Sequence, residues 1–198
     1  MAPPVLYFLR HGQTDWNVEG RLQGQTDIPL NDTGRAEARR NGLALKQHFE
    51  KEGIDPAGLD FIASPLGRAR ETMEIARAAM GLARDGYRIE QRVAEVKFGV
   101  WEGFTYKEIK ARDADAFASR KADKWAFTPE DGESYATMSE RVKAWYDALE
   151  APTLCVAHGG TSRALRGFLL GLNSQEIPVQ EAPQDRAFRW QDGELIWI

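Results

Sequence analysis

Two five-residue apolar runs, Val5–Leu9 and Thr153–Ala157, each hand the chain to a histidine and a glycine: Arg10-His11-Gly12 after the first, His158-Gly159-Gly160 after the second. Runs this short, rich in aromatic and branched residues and ended by charge or glycine, read as strands buried on both faces of a parallel sheet. The chain between them alternates accordingly. Thr33 to about Lys51 puts Ala38, Gly42, Leu45 and Phe49 on one helical face, Leu59–Ala63 gives a further strand, and Leu66 to Leu82 a further helix. A weaker strand falls near Tyr87–Ile89, followed by an irregular glycine- and aromatic-rich stretch, Val93–Phe104. Tyr106–Trp125 is charged, alanine-rich and reads as helical, and Pro129–Gly132 as a turn. A helix from about Ser134 to Leu149 carries Met138, Val142, Trp145, Tyr146 and Leu149 on one stripe, and Thr161 to Leu170 forms another. Asp192-Gly193 marks a turn between two short strands in Arg186–Ile198.

This order predicts an α/β fold, a three-layer αβα sandwich around a mostly parallel sheet. The whole chain, 1–198, is expected to form a single domain, with about 105–132 as a helical lid insertion. At 198 residues and 42% hydrophobic content the chain can bury one real core and is short for two domains. Sheets of this class bind ligands outside the C-terminal ends of their strands, where both histidine motifs lie.

Composition excludes several roles. A net charge of -4 argues against a general nucleic-acid binder, which needs a basic face to displace counterions. Cys155 is the single cysteine, so neither an intrachain disulfide nor a thiolate zinc cluster can form, and its neighbours Leu154 and Val156 mark it as a core thiol. No metal or other cofactor is expected. Met1-Ala2-Pro3-Pro4 lacks the pattern of an export signal, and no stretch approaches the ~18 apolar residues of a membrane span. A soluble, cytoplasmic protein with no membrane partner is expected, its oligomeric state open, a homodimer included. The nucleotide-binding lysine loop, the dinucleotide glycine pattern, the serine-hydrolase elbow and the His-Glu-x-x-His helix are all missing.

The residues that remain suit an oxyanion. Arg10 can hold phosphate oxygens in bidentate fashion, Gly12 would let the backbone approach a ligand, and Thr14 and Asn17 offer further hydrogen bonds. Arg68 opens a helix after a strand, where first-turn amides attract anions, whereas Arg70 lies on a different face and reads as solvated. Glu95 sits among apolar neighbours that would raise its pKa and let it donate a proton to a leaving group. Glu102 competes for that role on sequence grounds. His158 and the glycine amides after it repeat the strand-end geometry of His11, while His48 lies mid-helix and is given no role.

These segments resemble the histidine phosphatase superfamily, also called phosphoglycerate-mutase-like. Leu9–Asn17 is similar to its Arg-His-Gly signature, Arg21–Gly24 with Pro29-Leu30 to its next segment, and Arg68-Ala69 with Thr72 to its second arginine motif. Glu95 matches its acid and His158-Gly159 its second histidine. The resemblance runs from about Leu6 to Leu170. It implies that His11 becomes phosphohistidine, that Arg10, Arg68 and His158 hold the transferring phosphoryl oxygens, and that Glu95 protonates the leaving oxygen and then activates water. Thr14, Asn17, Gln23, Gly24 and Gly159 are the implied substrate contacts, with a small phosphorylated metabolite as substrate. Mutases of the family carry Glu-Arg-His-Tyr-Gly where this chain has Glu95-Val96-Lys97-Phe98-Gly99, so the phosphatase branch is the closer match. A mutase and a non-catalytic phospho-ligand binder remain the alternatives.

Overall fold

Alternate side chains of the central strands enter two separate apolar layers, and that alternation sets the architecture. The computed structural model describes residues 4–198, so the reading of Met1–Pro3 as lacking an export signal lies outside it. Strand β1 (Leu6–Arg10) is followed by a short helix α1 (Asp15–Glu19), the long helix α2 (Asp32–Glu52), strand β2 (Asp60–Ala63), helix α3 (Gly67–Met80) and strand β3 (Arg88–Ile89). Helices α4 (Tyr106–Arg112), α5 (Ala114–Ala122) and α6 (Tyr135–Tyr146) precede strand β4 (Thr153–Ala157), helix α7 (Gly159–Leu169) and the hairpin β5 (Ala187–Gln191) and β6 (Glu194–Trp197).

The six strands lie in the order β3-β2-β4-β1-β5-β6. The pairs β3/β2, β2/β4 and β4/β1 are parallel, and the β5/β6 hairpin adds to β1 antiparallel. Leu6, Phe8, Ile62, Cys155 and Ala157 pack under α6 and α7 against Met138, Val142, Trp145 and Leu165. Tyr7, Leu9, Phe61, Leu154 and Val156 face the opposite way, onto Leu45, Phe49, Met73 and Met80 of α2 and α3. The fold is thus the expected three-layer sandwich. Each fully buried Leu or Phe in these layers contributes about 1.5–3 kcal/mol.

Local chemistry sets the helix ends. The Asn31 side chain accepts from the Gly34 amide to start α2, and Gly53, at φ 67°, closes it in the left-handed region. Where α2 crosses α3, a Cβ on Gly42 would lie 2.7 Å from Ala76 Cα, so the close helix contact depends on that glycine. The single helix expected over Tyr106–Trp125 is instead two. Asp113 ends α4, and its side chain accepts from the Ala116 amide to begin α5, so an in-helix charge on the sequence is a cap in the structure. The Val93–Phe104 stretch forms a short 3-10 turn at Gly99–Trp101, preceded by another at Gln91–Val93. Trp125 packs against the core, and Phe127 stacks on Trp101 with ring centroids 5.0 Å apart. No helix among the described residues is long and apolar enough to cross a membrane.

Candidate active site

Register brings the two histidine motifs together. Arg10 pairs with Ala157 across adjacent parallel strands, and the His11 amide donates to the Ala157 carbonyl at 2.9 Å as the chain leaves the sheet. The imidazoles of His11 and His158 consequently stand with ring centroids 5.1 Å apart. Beside them opens a cavity of about 280 Å³ whose inner wall includes Arg10, His11, Gln23, Arg68, Glu95 and Gly160.

The ring nitrogens of His11 have fixed roles. Its Nδ1 lies 2.8 Å from the Gly12 carbonyl, which only accepts, so Nδ1 carries the proton and Nε2 keeps its lone pair. Burial, then the positive charges of Arg68 and Arg10, push His11 well below the usual 6.5, and the imidazole is neutral at physiological pH. His158 is likewise pushed well below its ordinary value by burial, Arg68 and His11. Its Nε2 sits 2.6 Å from Ser64 Oγ.

Three buried nitrogens around this pair have no hydrogen-bond partner among the described residues: Arg10 Nε, Arg68 Nε and His158 Nδ1. An unmatched buried donor costs on the order of 1–3 kcal/mol, so their clustering marks a place built for an acceptor such as an oxyanion. Arg10 gives Nη1 to the Ala182 carbonyl, leaving its Nε and Nη2 edge for a bidentate partner. Burial lowers its pKa to about 10 against the attraction of Glu95, which still leaves it charged. Arg68 is fully buried and braces the chain at Gly24 and Thr26 through its two Nη groups, at 2.7 and 2.8 Å.

Geometry separates the two carboxylates that the sequence leaves equal. Glu95 lines the cavity, accepting from the Gly160 amide at 3.1 Å and the Val96 amide at 2.9 Å. Glu102 is spent on the amides of Gln25, Thr26 and Phe98, where it ties two loops together. Asn17, Gln23 and Gly24 join the cavity wall. Two other expected contacts are placed differently. Thr14 caps α1 in a reciprocal pair with Asn17, and Gly160 takes the cavity position in place of Gly159, which packs against Arg10. Gly12 gives its amide to Thr72 Oγ1, and a Cβ there would lie 2.2 Å from the Gly34 carbonyl oxygen. Its close approach is therefore to α2 and not to a ligand.

Sequence reasoning missed Arg120, Lys124 and Arg163, which line the same cavity together with Tyr106 and Tyr135. Nothing in the charged segment distinguishes Arg120 and Lys124 from Lys107, Lys110 and Arg112, which face elsewhere. Arg141 was missed too. It pairs with Glu133 and donates to the Arg92, Ala94 and Glu95 carbonyls, holding the backbone that carries Glu95. Among the described residues no three histidine, cysteine, aspartate or glutamate side chains gather so as to hold a metal ion.

Known proteins resemble this chain in sequence and in fold. The chain is 34% identical to glucosyl-3-phosphoglycerate phosphatase of Mycobacterium tuberculosis, over 90% of this chain and 78% of that one. It is 32% identical to 2,3-bisphosphoglycerate-dependent phosphoglycerate mutase of Methylobacterium radiotolerans, over 88% and 82%. A solved structure of mycobacterial glucosyl-3-phosphoglycerate phosphatase in complex with VO3 superposes with a TM-score of 0.75 at 30% identity, covering 98% of this chain and 96% of that one. Residues 6–185 match the histidine phosphatase superfamily (branch 1). The chain belongs to that superfamily.

Proposed function

We propose that this protein hydrolyses phosphate monoesters of small metabolites through a phosphohistidine on His11, without a metal ion. The observation that carries the reading is the tautomer of His11: Nδ1 is held by the Gly12 carbonyl, which leaves the Nε2 lone pair as nucleophile beside Arg10 and Arg68. Nε2 attacks phosphorus, and the bond to the ester oxygen breaks. Glu95 gives its proton to the departing alkoxide, then takes one from the water that attacks the phosphohistidine and releases inorganic phosphate. Arg10, Arg68 and His158 present their unmatched donors to the phosphoryl oxygens, which is what phosphoryl transfer chiefly requires. Gln23 and Asn17 line the same wall and orient the substrate. The helical segment about 105–132 acts as a lid over the cavity, and a cytoplasmic setting fits the single buried thiol of Cys155.

The mutase reading rests on the Methylobacterium relative. Phosphate release from a panel of monoesters, including 3-phosphoglycerate and glucosyl-3-phosphoglycerate, measured in EDTA, separates the two. Release that disappears in His11→Ala protein is the expected result. Interconversion of phosphoglycerates with a bisphosphate primer, and no release, would assign the mutase; activity lost in EDTA and restored by magnesium would refute the metal-free mechanism.

A further inference from the structure

Glu95 carries its carboxylate from a stretch of chain with no ladder of its own. Ala94 and Glu95 lie outside every helix and strand, so their carbonyls need partners from elsewhere. Arg141, on α6, supplies them. Its Nη1 donates to the carbonyls of Arg92 at 2.7 Å and Ala94 at 2.8 Å, and its Nη2 to that of Glu95 at 3.1 Å. The other two N–H groups pair in parallel with Glu133, Nε to Oε1 at 2.7 Å and Nη2 to Oε2 at 2.8 Å. All five guanidinium donors are thus committed, two to one carboxylate and three to one short piece of backbone. Arg141 does not line the cavity, and its side chain is 22% exposed, so it has no direct part in holding a ligand and little in filling the core.

Glu133 secures the other flank of the acid. Its amide donates to the Lys97 carbonyl at 2.8 Å and its Oε2 accepts from the Lys97 amide at 3.2 Å, so the chain is held on both sides of Glu95. The aim of the Glu95 carboxylate depends on that frame. One of its oxygens accepts from the Val96 amide, the next link of the same backbone, and the other from the Gly160 amide at the start of α7. A tilt of the peptide between Glu95 and Val96 would carry the first bond with it and pull against the second. We propose that Arg141, oriented by Glu133, is a positioning residue for proton transfer: it fixes the backbone from which Glu95 reaches the leaving oxygen, and it acts on the reaction only through Glu95. A planar fork suits this task and a lysine does not, since one ammonium cannot span three carbonyls and a carboxylate in this arrangement. The proposal deepens the phosphatase reading and rests on it for the role of Glu95.

The test follows phosphoenzyme formation by rapid quench in alkali, with 3-phosphoglycerate as an ester of a poor leaving group and p-nitrophenyl phosphate as an ester of a good one. Arg141→Lys is expected to slow the first about 10–100-fold and the second by less than about threefold, because proton donation matters chiefly to a departing alkoxide. The half-saturating concentrations should stay unchanged. Glu133→Gln keeps the shape of the pair and should show the same selectivity with a smaller loss, and it keeps the test usable if the Arg141 position does not tolerate change. The double variant decides whether Arg141 works through the acid: Glu95→Gln with Arg141→Lys should be no slower on 3-phosphoglycerate than Glu95→Gln alone. Equal losses on both esters in folded protein, as a general loosening would give, no loss on 3-phosphoglycerate, or losses that multiply in the double variant would overturn the positioning role. Failure of the unsubstituted protein to form phosphoenzyme from either ester would instead overturn the phosphatase reading.

Discussion

His11 and His158 leave neighbouring parallel strands by the same route, strand to histidine to glycine, yet their ring nitrogens are occupied in opposite ways. His11 is held at Nδ1 by the carbonyl of its own next residue, which frees Nε2 as a lone pair. His158 is held at Nε2 by Ser64 Oγ, on a loop from another strand, which leaves its Nδ1 as a buried nitrogen with no partner. Repetition of a motif thus places two imidazoles in one site, and the partner of each ring decides which one attacks and which one positions. The glycines that follow differ as well. Gly12 is pressed against the backbone of Gly34, whereas the nearest neighbours of a Cβ at Gly159 would be the side chains of Arg10 and Arg163, at 3.4 Å.

The largest expected contrast is in catalysis. His11→Ala removes the nucleophile, and phosphate release should fall to the background rate, while His158→Ala should lose roughly 10²–10³-fold, the usual effect of removing one oxyanion donor, and still form phosphoenzyme. The reverse pattern would exchange the two roles. Glu95→Gln should slow esters of poor leaving groups by about 10²–10⁴-fold and p-nitrophenyl phosphate far less, because a good leaving group needs little protonation. Equal losses on both would remove Glu95 from proton transfer.

Stability should separate the two corners next. Gly12→Ala forces a methyl group into backbone and should cost about 1–3 kcal/mol or more, a drop in melting temperature of roughly 2–4 °C per kcal/mol for a chain of this size. Gly159→Ala, at the first position of α7 with only flexible neighbours, should cost less than about 1 kcal/mol. Equal losses would show that the tight approach of Gly12 to α2 is not what distinguishes them.

The remaining expected effect is a pH dependence that both histidines share. Each is kept neutral in the folded protein, with a pKa well below its usual 6.5, while the unfolded chain takes up the proton near that value. The unfolded state therefore binds more protons below about pH 6.5, and stability should fall with falling pH by about 1.4 kcal/mol per pH unit for each histidine until the folded-state pKa is reached. Thermal melts across this range, repeated on His158→Asn protein, should show a shallower slope in the variant. A slope unchanged by the substitution would contradict the buried, neutral state assigned to His158.

The inner half of the cavity was largely legible in the sequence because its residues sit at element ends. Arg10 and His11 follow a recognisable strand, Arg68 opens a helix, and His158 repeats the first pattern, so the parallel order alone directs them to one rim. The choice between Glu95 and Glu102 was not legible, since it depends on which carboxylate is consumed by loop amides seventy and more residues earlier in the chain. The capping role of Thr14 was not legible either, because a side chain that can bond a ligand can also cap a helix, and the one-turn α1 is too short to show a period. Arg120 and Lys124 were silent for a related reason: they lie in a segment dense with charge, where Arg120 is buried and Lys124 half-buried while Lys107, Lys110, Arg112 and Lys121 are exposed, and no sequence period separates them.

The central claim is tested most directly by trapping the phosphoenzyme. Protein mixed with a labelled phosphomonoester, quenched in alkali to preserve an acid-labile phosphorus–nitrogen bond and mapped by peptide, should carry its label on the peptide containing His11, at Nε2. Label on His158, or turnover with no trapped phosphohistidine, would contradict the account.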